Sequence, residues 1–385
     1  MPMRQYYYRY LNRTIKFTQP SIVLKNTIGD LIDIQGTFTK LARKAHPDDR
    51  LMVTYYNHLW EPILKLASWL GWRKRVDEQN WVSNQDLANL LSLSGWETIS
   101  HRTRLLFPIY IPLFSKFINS MIAPLPLINS LCLMTWAVAR PIQTARKEYS
   151  VSIIIAARNE EKNIPKIIPS IPKFGKWQEV VFIEGHSKDN TWTEIEKVAS
   201  QKGRVMVQAF KQKGIGKGDA VRLGFEKAKG DLVMILDADL TVDPKDLPKF
   251  YEVIASGLGE FVNGSRLVYP MEKQAMQTIN KIGNVIFGLL FSWILGQRFT
   301  DTLCGTKVLL ARDYQKIKRG RRFFGDFDPF GDFDLIFGAV KQNLKVIEVP
   351  VRYRERRYGT TNISRFSHGW LLIKMTWFAF QKFML

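Results

Sequence analysis

The chain has 385 residues, 46% of them hydrophobic, and a formal net charge of +21. That length leaves room for two domains and a large core, and that apolar content excludes an intrinsically disordered chain. The basic excess is diffuse, with 19 Lys/Arg against 9 Asp/Glu in residues 1–147 and 37 against 26 in the rest, which suits an anionic membrane surface or phosphate-bearing substrates better than nucleic acid.

The opening stretch, MPMRQYYYRYLNRTIKF, lacks the apolar core of a signal peptide. Two isolated cysteines, Cys132 and Cys304, make neither a zinc spacing nor a disulfide framework, which predicts a reducing, cytoplasmic setting. Residues 104–139 are apolar but broken by four prolines and Lys116. Together with 279–297 and 369–385 they are short of a spanning helix. Trp, Phe and Lys interleave in these stretches, which predicts helices lying in a membrane interface, with internal or dimer-interface helices as the alternative. The polar, basic stretch 139–150 with Pro141 places a domain boundary near 145.

Beyond that boundary, strands and helices alternate. VSIIIAA (151–157) reads as a strand buried on both faces, followed by the helical spacing of EKNIPKIIPSI. EVVFIEG (179–185) is a second strand and 190–203 a helix ending at Gly203. VMVQAF, GDAVRLGFEKAKG and DLVMILDAD continue as strand, helix and strand. The expected fold is α/β: a mixed, mostly parallel sheet with helices on both faces. Ligands of such sheets bind at the carboxyl ends of the strands.

Those ends carry the chemistry. They bring Glu160, Glu184, Asp189, Asp237 and Asp239 together with Arg158, Lys213 and Lys217, and with Gly214, Gly216 and Gly218. Carboxylates beside cations suit a ligand made of a base, sugar hydroxyls and phosphates, with Mg²⁺ or Mn²⁺ between protein and phosphate. Alone, Asp-x-Asp serves equally well as an acidic turn before a helix, and Asp243 before Pro244 reads as a helix cap.

VSIIIAARNEEKNI, VVFIEGHSKDNTW, GKGDAVRLGFEKAKGDLVMILDADL and FGDFDL, in that order, resemble the family 2 glycosyltransferases of GT-A fold, in the dolichyl-phosphate mannose synthase and polyprenyl-phosphate glycosyltransferase branch. The resemblance covers about 150–370 and implies a Rossmann-like GT-A domain performing an inverting transfer from a GDP- or UDP-sugar. It places Ala156, Arg158 and Glu160 at the nucleotide, Glu184 and Asp189 near base and ribose, and Lys213, Lys217 and Ala238 along the donor. Asp237 and Asp239 would flank metal and diphosphate. EGHS departs from the usual DDGS, with His186 where glycine is common; a surface imidazole is the plain reading. On the acceptor side the resemblance implies Arg266, Asp301 and Lys307, and Arg356, Gly359 and Thr361 in the Arg-x-x-Gly-x-Ser/Thr segment, where Arg can fork onto phosphate. Asp332, with Asp334 as the second choice, aligns with the family's general base. A hydroxyl acceptor would need that base and an ionised phosphate would not; helix capping is the alternative use of both.

Residues 1–145 resemble class I AdoMet-dependent methyltransferases in their opening helix and the C-terminal half of that fold. The first strand with its glycine-rich turn and the next acidic strand end are missing, which implies a non-catalytic remnant serving packing, membrane contact or dimerisation. The organisation expected is therefore a truncated region (1–145), a glycosyltransferase domain (146–368) and a C-terminal interfacial helix (369–385). The expected partners are a nucleotide-sugar donor, a lipid-linked acceptor such as polyprenyl phosphate and the membrane surface. No nucleic acid is expected, and homo-oligomers are left open. The expected location is the cytoplasmic face of a membrane, peripheral or monotopic. The competing readings are transfer to a lipid or glycan hydroxyl with Asp332 as base, and a non-catalytic membrane scaffold.

Overall fold

The computed structural model describes the chain apart from residues 1–2, 74–78, 202, 204, 271–277, 324, 326–330, 357, 359–364 and 385, and the side chains of 278–280 and 365–368. It divides into two units: Met1–Gln143 with Lys341–Asn343 and Phe383–Leu385, and Thr144–Val340 with Leu344–Lys382.

In the first unit the elements in order are α1 (Met3–Thr18), β1 (Ile22–Lys25), α2 (Ile34–Lys44), β2 (Leu51–Tyr56), α3 (Glu61–Trp69), α4 (Asn84–Leu93), β3 (Trp96–Arg104), a single turn α5 (Phe114–Phe117) and β4 (Met134–Pro141). They build a four-stranded sheet ordered β1-β2-β4-β3. β1 and β2 run parallel and the other neighbours antiparallel. β4 is buried along its whole length, which its apolar, alternating sequence MTWAVARP accommodates because Arg140 ends in an ion pair with Glu97, 2.7 Å away. α4 starts with a reciprocal cap in which Ser83 and Asp86 satisfy each other's backbone amides. The expected interfacial helix does not run through 104–139: between Leu105 and Leu133 the helical parts are α5, which continues as a π-helical segment over Ile118–Ile122, and a 3₁₀ turn at Ile128–Leu131, and from Met134 on the stretch is strand β4.

The second unit runs β5 (Val151–Ala157), α6 (Ile164–Ser170), β6 (Gln178–Glu184), α7 (Thr191–Ser200), β7 (Met206–Lys211), α8 (Lys217–Lys227), β8 (Leu232–Ile235), α9 (Leu247–Ala255), β9 (Phe261–Ser265), α10 (Thr278–Leu295), β10 (Lys307–Leu310), α11 (Ala311–Gly320), α12 (Phe333–Lys341), β11 (Val346–Pro350) and α13 (Arg365–Phe383). The seven-stranded sheet has the order β11-β9-β10-β8-β5-β6-β7. Only β10 runs against its neighbours β8 and β9, so the sheet is mixed and mostly parallel, as expected. Along β5 the side chains alternate between the two faces. Ile153 and Ile155 join a core with Ile164 and Ile167 of α6, Ile195 of α7 and Phe250 of α9. Ile154 points the other way, onto Gly224 of α8, where a Cβ would lie 2.3 Å from its side chain. Helices thus cover both faces. β5 leads to β6 and β7 on one side and pairs with β8 on the other, so strand order reverses at β5, the position where such sheets open a crevice.

α13 begins at Arg365, earlier than expected, and packs Phe378 on Phe337 of α12 and Phe380 on Trp293 of α10. Ile282, Ile286 and Leu289 of α10 and Trp370, Ile373 and Trp377 of α13 stay exposed. Among the described residues no helix is long and apolar enough to cross a membrane.

Candidate active site

Three strand-end loops turn through a left-handed residue: Asn159 (φ 58°) after β5, His186 (φ 59°) after β6 and Leu240 (φ 56°) after β8. This backbone explains why glycine suits the position of His186. The imidazole is not idle, since its Nε2 donates to the Gly214 carbonyl at 2.9 Å and ties the β6 loop to the loop before α8.

Two carboxylates are held by the same local device. Asp189 Oδ1 accepts the amide and hydroxyl of Thr191, and Asp239 Oδ1 accepts the amide (3.1 Å) and hydroxyl (2.8 Å) of Thr241. Each is an Asp-x-Thr turn in which the acid bonds two residues ahead. It leaves Asp239 Oδ2 for Arg356, whose guanidinium lies 2.7 Å away and also faces Glu160 at 3.5 Å. Glu160 is 6% exposed. Burial, only partly offset by the Asn163 amide and Arg356, and reinforced by Asp239 and Asp189, pushes its carboxyl up to about 7.

Lys217, first residue of α8, places Nζ 2.6 Å from Asp237 Oδ1. Burial works against Asp237's charge, but Lys217, with Lys307 and Arg266, holds it below the usual carboxylate range. Lys217 is itself held above its ordinary value, against burial, by Asp237, Asp332 and Asp239. The pair needs Gly305, because a Cβ there would lie 2.1 Å from the Asp237 carboxylate and 2.4 Å from Lys217 Nζ. A second glycine contact brings in Asp332: Gly331 (φ 74°) lies so close to α8 that a Cβ would meet Gly218 Cα at 2.4 Å.

Behind these pairs stand two buried ones. Arg266 forks onto Asp301 at 2.6 and 2.8 Å. Lys307 Nζ lies 2.9 Å from Asp332 Oδ1, with both side chains buried. β10 starts at the crevice edge because it runs antiparallel, and that is how Lys307 arrives there.

Asp237, Asp239, Glu160, Asp189, Lys217, Arg356, Arg266, Asp301, Lys307 and Asp332 therefore form one electrostatically linked group. Ala156 and buried Ala238 belong to its strand ends, and Arg158 is exposed beside them. Glu184 is buried and accepts the Ser187 amide at 2.5 Å, shaping the β6 loop. Asp334 does not join. Two residues further on, inside α12, it faces Arg321 (3.0 Å) and Arg222 (3.7 Å) beside a cavity of about 500 Å³ that Lys213 also lines. Asp243 caps a short turn by accepting the Lys245 amide, and Arg354 pairs with it at 2.8 Å. Arg354 and Arg356 thus both reach acids of the loop that follows β8. Gly359 and Thr361 fall outside the described residues. Thr191, Thr241, Asn163, Arg222 and Arg321 were not foreseen; the repeated Asp-x-Thr spacing was the visible signal for the first two.

Oxygen donors one residue apart, Asp237 and Asp239, fit a hard divalent cation that takes its remaining ligands from phosphate. Among the described residues no group of three His, Cys, Asp or Glu side chains could hold a metal alone.

Acids and cations thus alternate at the switch point of a mostly parallel sheet, the place where ligands of such sheets bind. The family model Glycosyl transferase family 2 matches residues 152–322, so the chain carries a family 2 glycosyltransferase domain. Among its relatives, the low-salt glycan biosynthesis hexosyltransferase Agl6 of Haloferax volcanii is 24% identical over 225 residues, 57% of this chain and 51% of that protein. The dolichol-phosphate mannosyltransferase of Pyrococcus furiosus is 33% identical over 120 residues, 31% of this chain and 33% of the relative. An undecaprenyl-phosphate 4-deoxy-4-formamido-L-arabinose transferase of Pectobacterium carotovorum is 29% identical over 222 residues, 56% and 63% of the two chains. The chain thus spans 33–63% of the length of these relatives. A solved structure of glucosyl-3-phosphoglycerate synthase from Mycobacterium tuberculosis superposes with a TM-score of 0.44 at 16% identity, over 61% of this chain and 80% of that one.

Proposed function

We propose that the protein transfers a sugar from a GDP- or UDP-linked donor to a lipid-linked acceptor, with polyprenyl phosphate as the leading acceptor. The observation that carries this reading is the interleaving of Asp237 and Asp239 with Lys217 and Arg356 at one crevice. Arg356 and Lys217 are the cations that would meet the donor's diphosphate. Asp239, with Asp237, would hold Mg²⁺ or Mn²⁺, whose charge would stabilise the departing nucleoside diphosphate. Asp189 and Glu160 would then serve the nucleoside end.

The acceptor choice rests on Asp332. Its carboxylate is buried against Lys307, in a neighbourhood that also holds Lys217. A phosphate arriving there meets ammonium groups and needs no base to ionise it, whereas a hydroxyl does. Relatives named for dolichol- and undecaprenyl-phosphate support the same choice. The exposed apolar sides of α10 and α13 support action at a membrane surface, which we place at the cytoplasmic leaflet. Sugar transfer from a panel of nucleotide-sugars to polyprenyl phosphate, run with Asp332→Asn, tests the assignment. Activity reduced less than about tenfold supports the phosphate acceptor. Wild-type transfer to a hydroxyl-bearing lipid or glycan and not to polyprenyl phosphate, lost roughly 10³-fold or more in a variant of unchanged thermal midpoint, makes Asp332 a general base acting on a hydroxyl instead.

A further inference from the structure

The first unit carries a feature that the glycosyltransferase reading does not use. Between β3 and β4 the chain makes an excursion closed at its neck, where the Leu133 amide donates to the Leu105 carbonyl at 3.0 Å. Inside it, buried Asn119 fastens the loop by accepting the Phe107 amide and donating to the Phe107 carbonyl. Its outer surface is apolar: Ile109, Ile111, Leu113, Phe114, Phe117 and Leu127 are all exposed.

Two of these are built alike. Pro112-Leu113 and Pro126-Leu127 each close a three-residue turn, with Phe114 N donating to Pro112 O at 2.7 Å and Ile128 N to Pro126 O at 2.9 Å. The central leucines sit at φ 60°, ψ −50° and φ 68°, ψ −47°. These are γ-turns of the rare, strained hand, and a bulky leucine is a poor occupant of that backbone. The strain secures no burial within the chain, because Leu113 and Leu127 are 85% and 87% exposed. Strain kept for outward-facing apolar tips points to an external apolar phase.

Charge identifies that phase. Residues 98–147 contain no Asp or Glu, and the excursion's one charged side chain is Lys116. α1 is attached to the excursion through Tyr6, whose hydroxyl accepts the Asn119 amide at 3.3 Å and whose ring lies 5.4 Å from Tyr110. α1 has exposed Arg4, Arg9, Arg13 and Lys16 and no acid. Apolar tips beside an acid-free cationic helix match an anionic bilayer: leucines enter the acyl region while arginines meet headgroups. We infer that the first unit docks on anionic lipid through the Leu113 and Leu127 turns.

The experiment is vesicle co-sedimentation of the full chain on phosphatidylcholine vesicles with and without phosphatidylglycerol, comparing wild type with the double variant Leu113→Gly/Leu127→Gly. Glycine accepts the left-handed backbone, so the variant keeps or raises the thermal midpoint. Its binding to anionic vesicles is expected to fall at least about tenfold, and wild-type binding to weaken with salt and on pure phosphatidylcholine. In parallel, Leu113→Cys carries an environment-sensitive fluorophore. The native Cys132 and Cys304 are buried, so labelling is confined to the tip, and a blue shift on anionic vesicles is expected. Equal vesicle binding by the glycine variant, or a label that stays in water on vesicles that hold the protein, overturns the proposal. A blue shift that instead follows protein concentration without lipid assigns the turns to a second copy of the chain and overturns it equally.

Discussion

Among the described residues, four acid–cation pairs of the crevice have similar composition and very different exposure. In Lys217–Asp237 the side chains are 33% and 28% exposed, and in Arg356–Asp239 32% and 10%. In Arg266–Asp301 and Lys307–Asp332 they are 12% and 0%, and 0% and 6%. Water-facing pairs can exchange partners when a charged ligand arrives, because water and ligand compensate each ion in turn. Buried pairs cannot: separating them leaves an ion without compensation. Similar chemistry therefore divides into a ligand-facing layer and a supporting layer, and each prediction below tests that division.

The largest effect is expected at the outer layer. Asp239→Ala should reduce sugar transfer by roughly 10³–10⁴-fold, about 4–5.5 kcal/mol of transition-state stabilisation, with an unchanged thermal midpoint. A parallel loss of fold would move Asp239 into the supporting layer. Next comes the inner layer, where Asp301→Ala strands Arg266 and should cost about 3–5 kcal/mol of stability by denaturant titration. A fully folded variant defective only in transfer would break the division. Arg356→Lys keeps the charge but loses the fork that reaches Asp239 and Glu160. Transfer should fall about 10–100-fold in kinetic assays, with stability within about 1 kcal/mol of wild type.

The smallest effect separates the layers by pH. Glu160 has a folded value of about 7 against 4.5 for the ordinary carboxyl. Its protonated form is therefore favoured on folding; that stability is complete below about pH 4.5 and lost as pH rises through about 7. Glu160→Gln should remove the slope in this window. Above pH 7 it should be more stable than wild type by about 1–2 kcal/mol, after allowing for the solvent and the Arg356 charge that reach the carboxylate. Thermal melts across pH 4–8 check the sign.

Much of the sheet was legible because β5, β6 and β8 are buried on both faces and so read as unbroken apolar runs. The Asp-x-Asp loop, Lys217 and Arg356 were legible for a related reason: their chemistry is local to a strand end or a short motif. Features set by long-range approach were not. Nothing in LCGTKVLL announces that β10 runs antiparallel, or that Gly305 admits Asp237 and Lys217. Asp334 is paired with Asp332 in the GDFDL motif, yet positions two apart on a helix point about 200° apart, and Arg321 and Arg222 claim it. For the 104–139 stretch, composition alone suggests an interfacial or internal helix, of which Phe114–Ile122 is the main part that is helical. Its prolines, which specify the two turns, were counted only as interruptions.

The most direct test of the account is calorimetric titration of UDP- and GDP-sugars with Mn²⁺ into the full chain and its Asp239→Ala variant. Wild type is expected to bind one donor class saturably, and the variant at least about 100-fold more weakly at equal thermal stability. Equal affinity in both proteins, or no binding of any nucleotide-sugar by wild type, would contradict it.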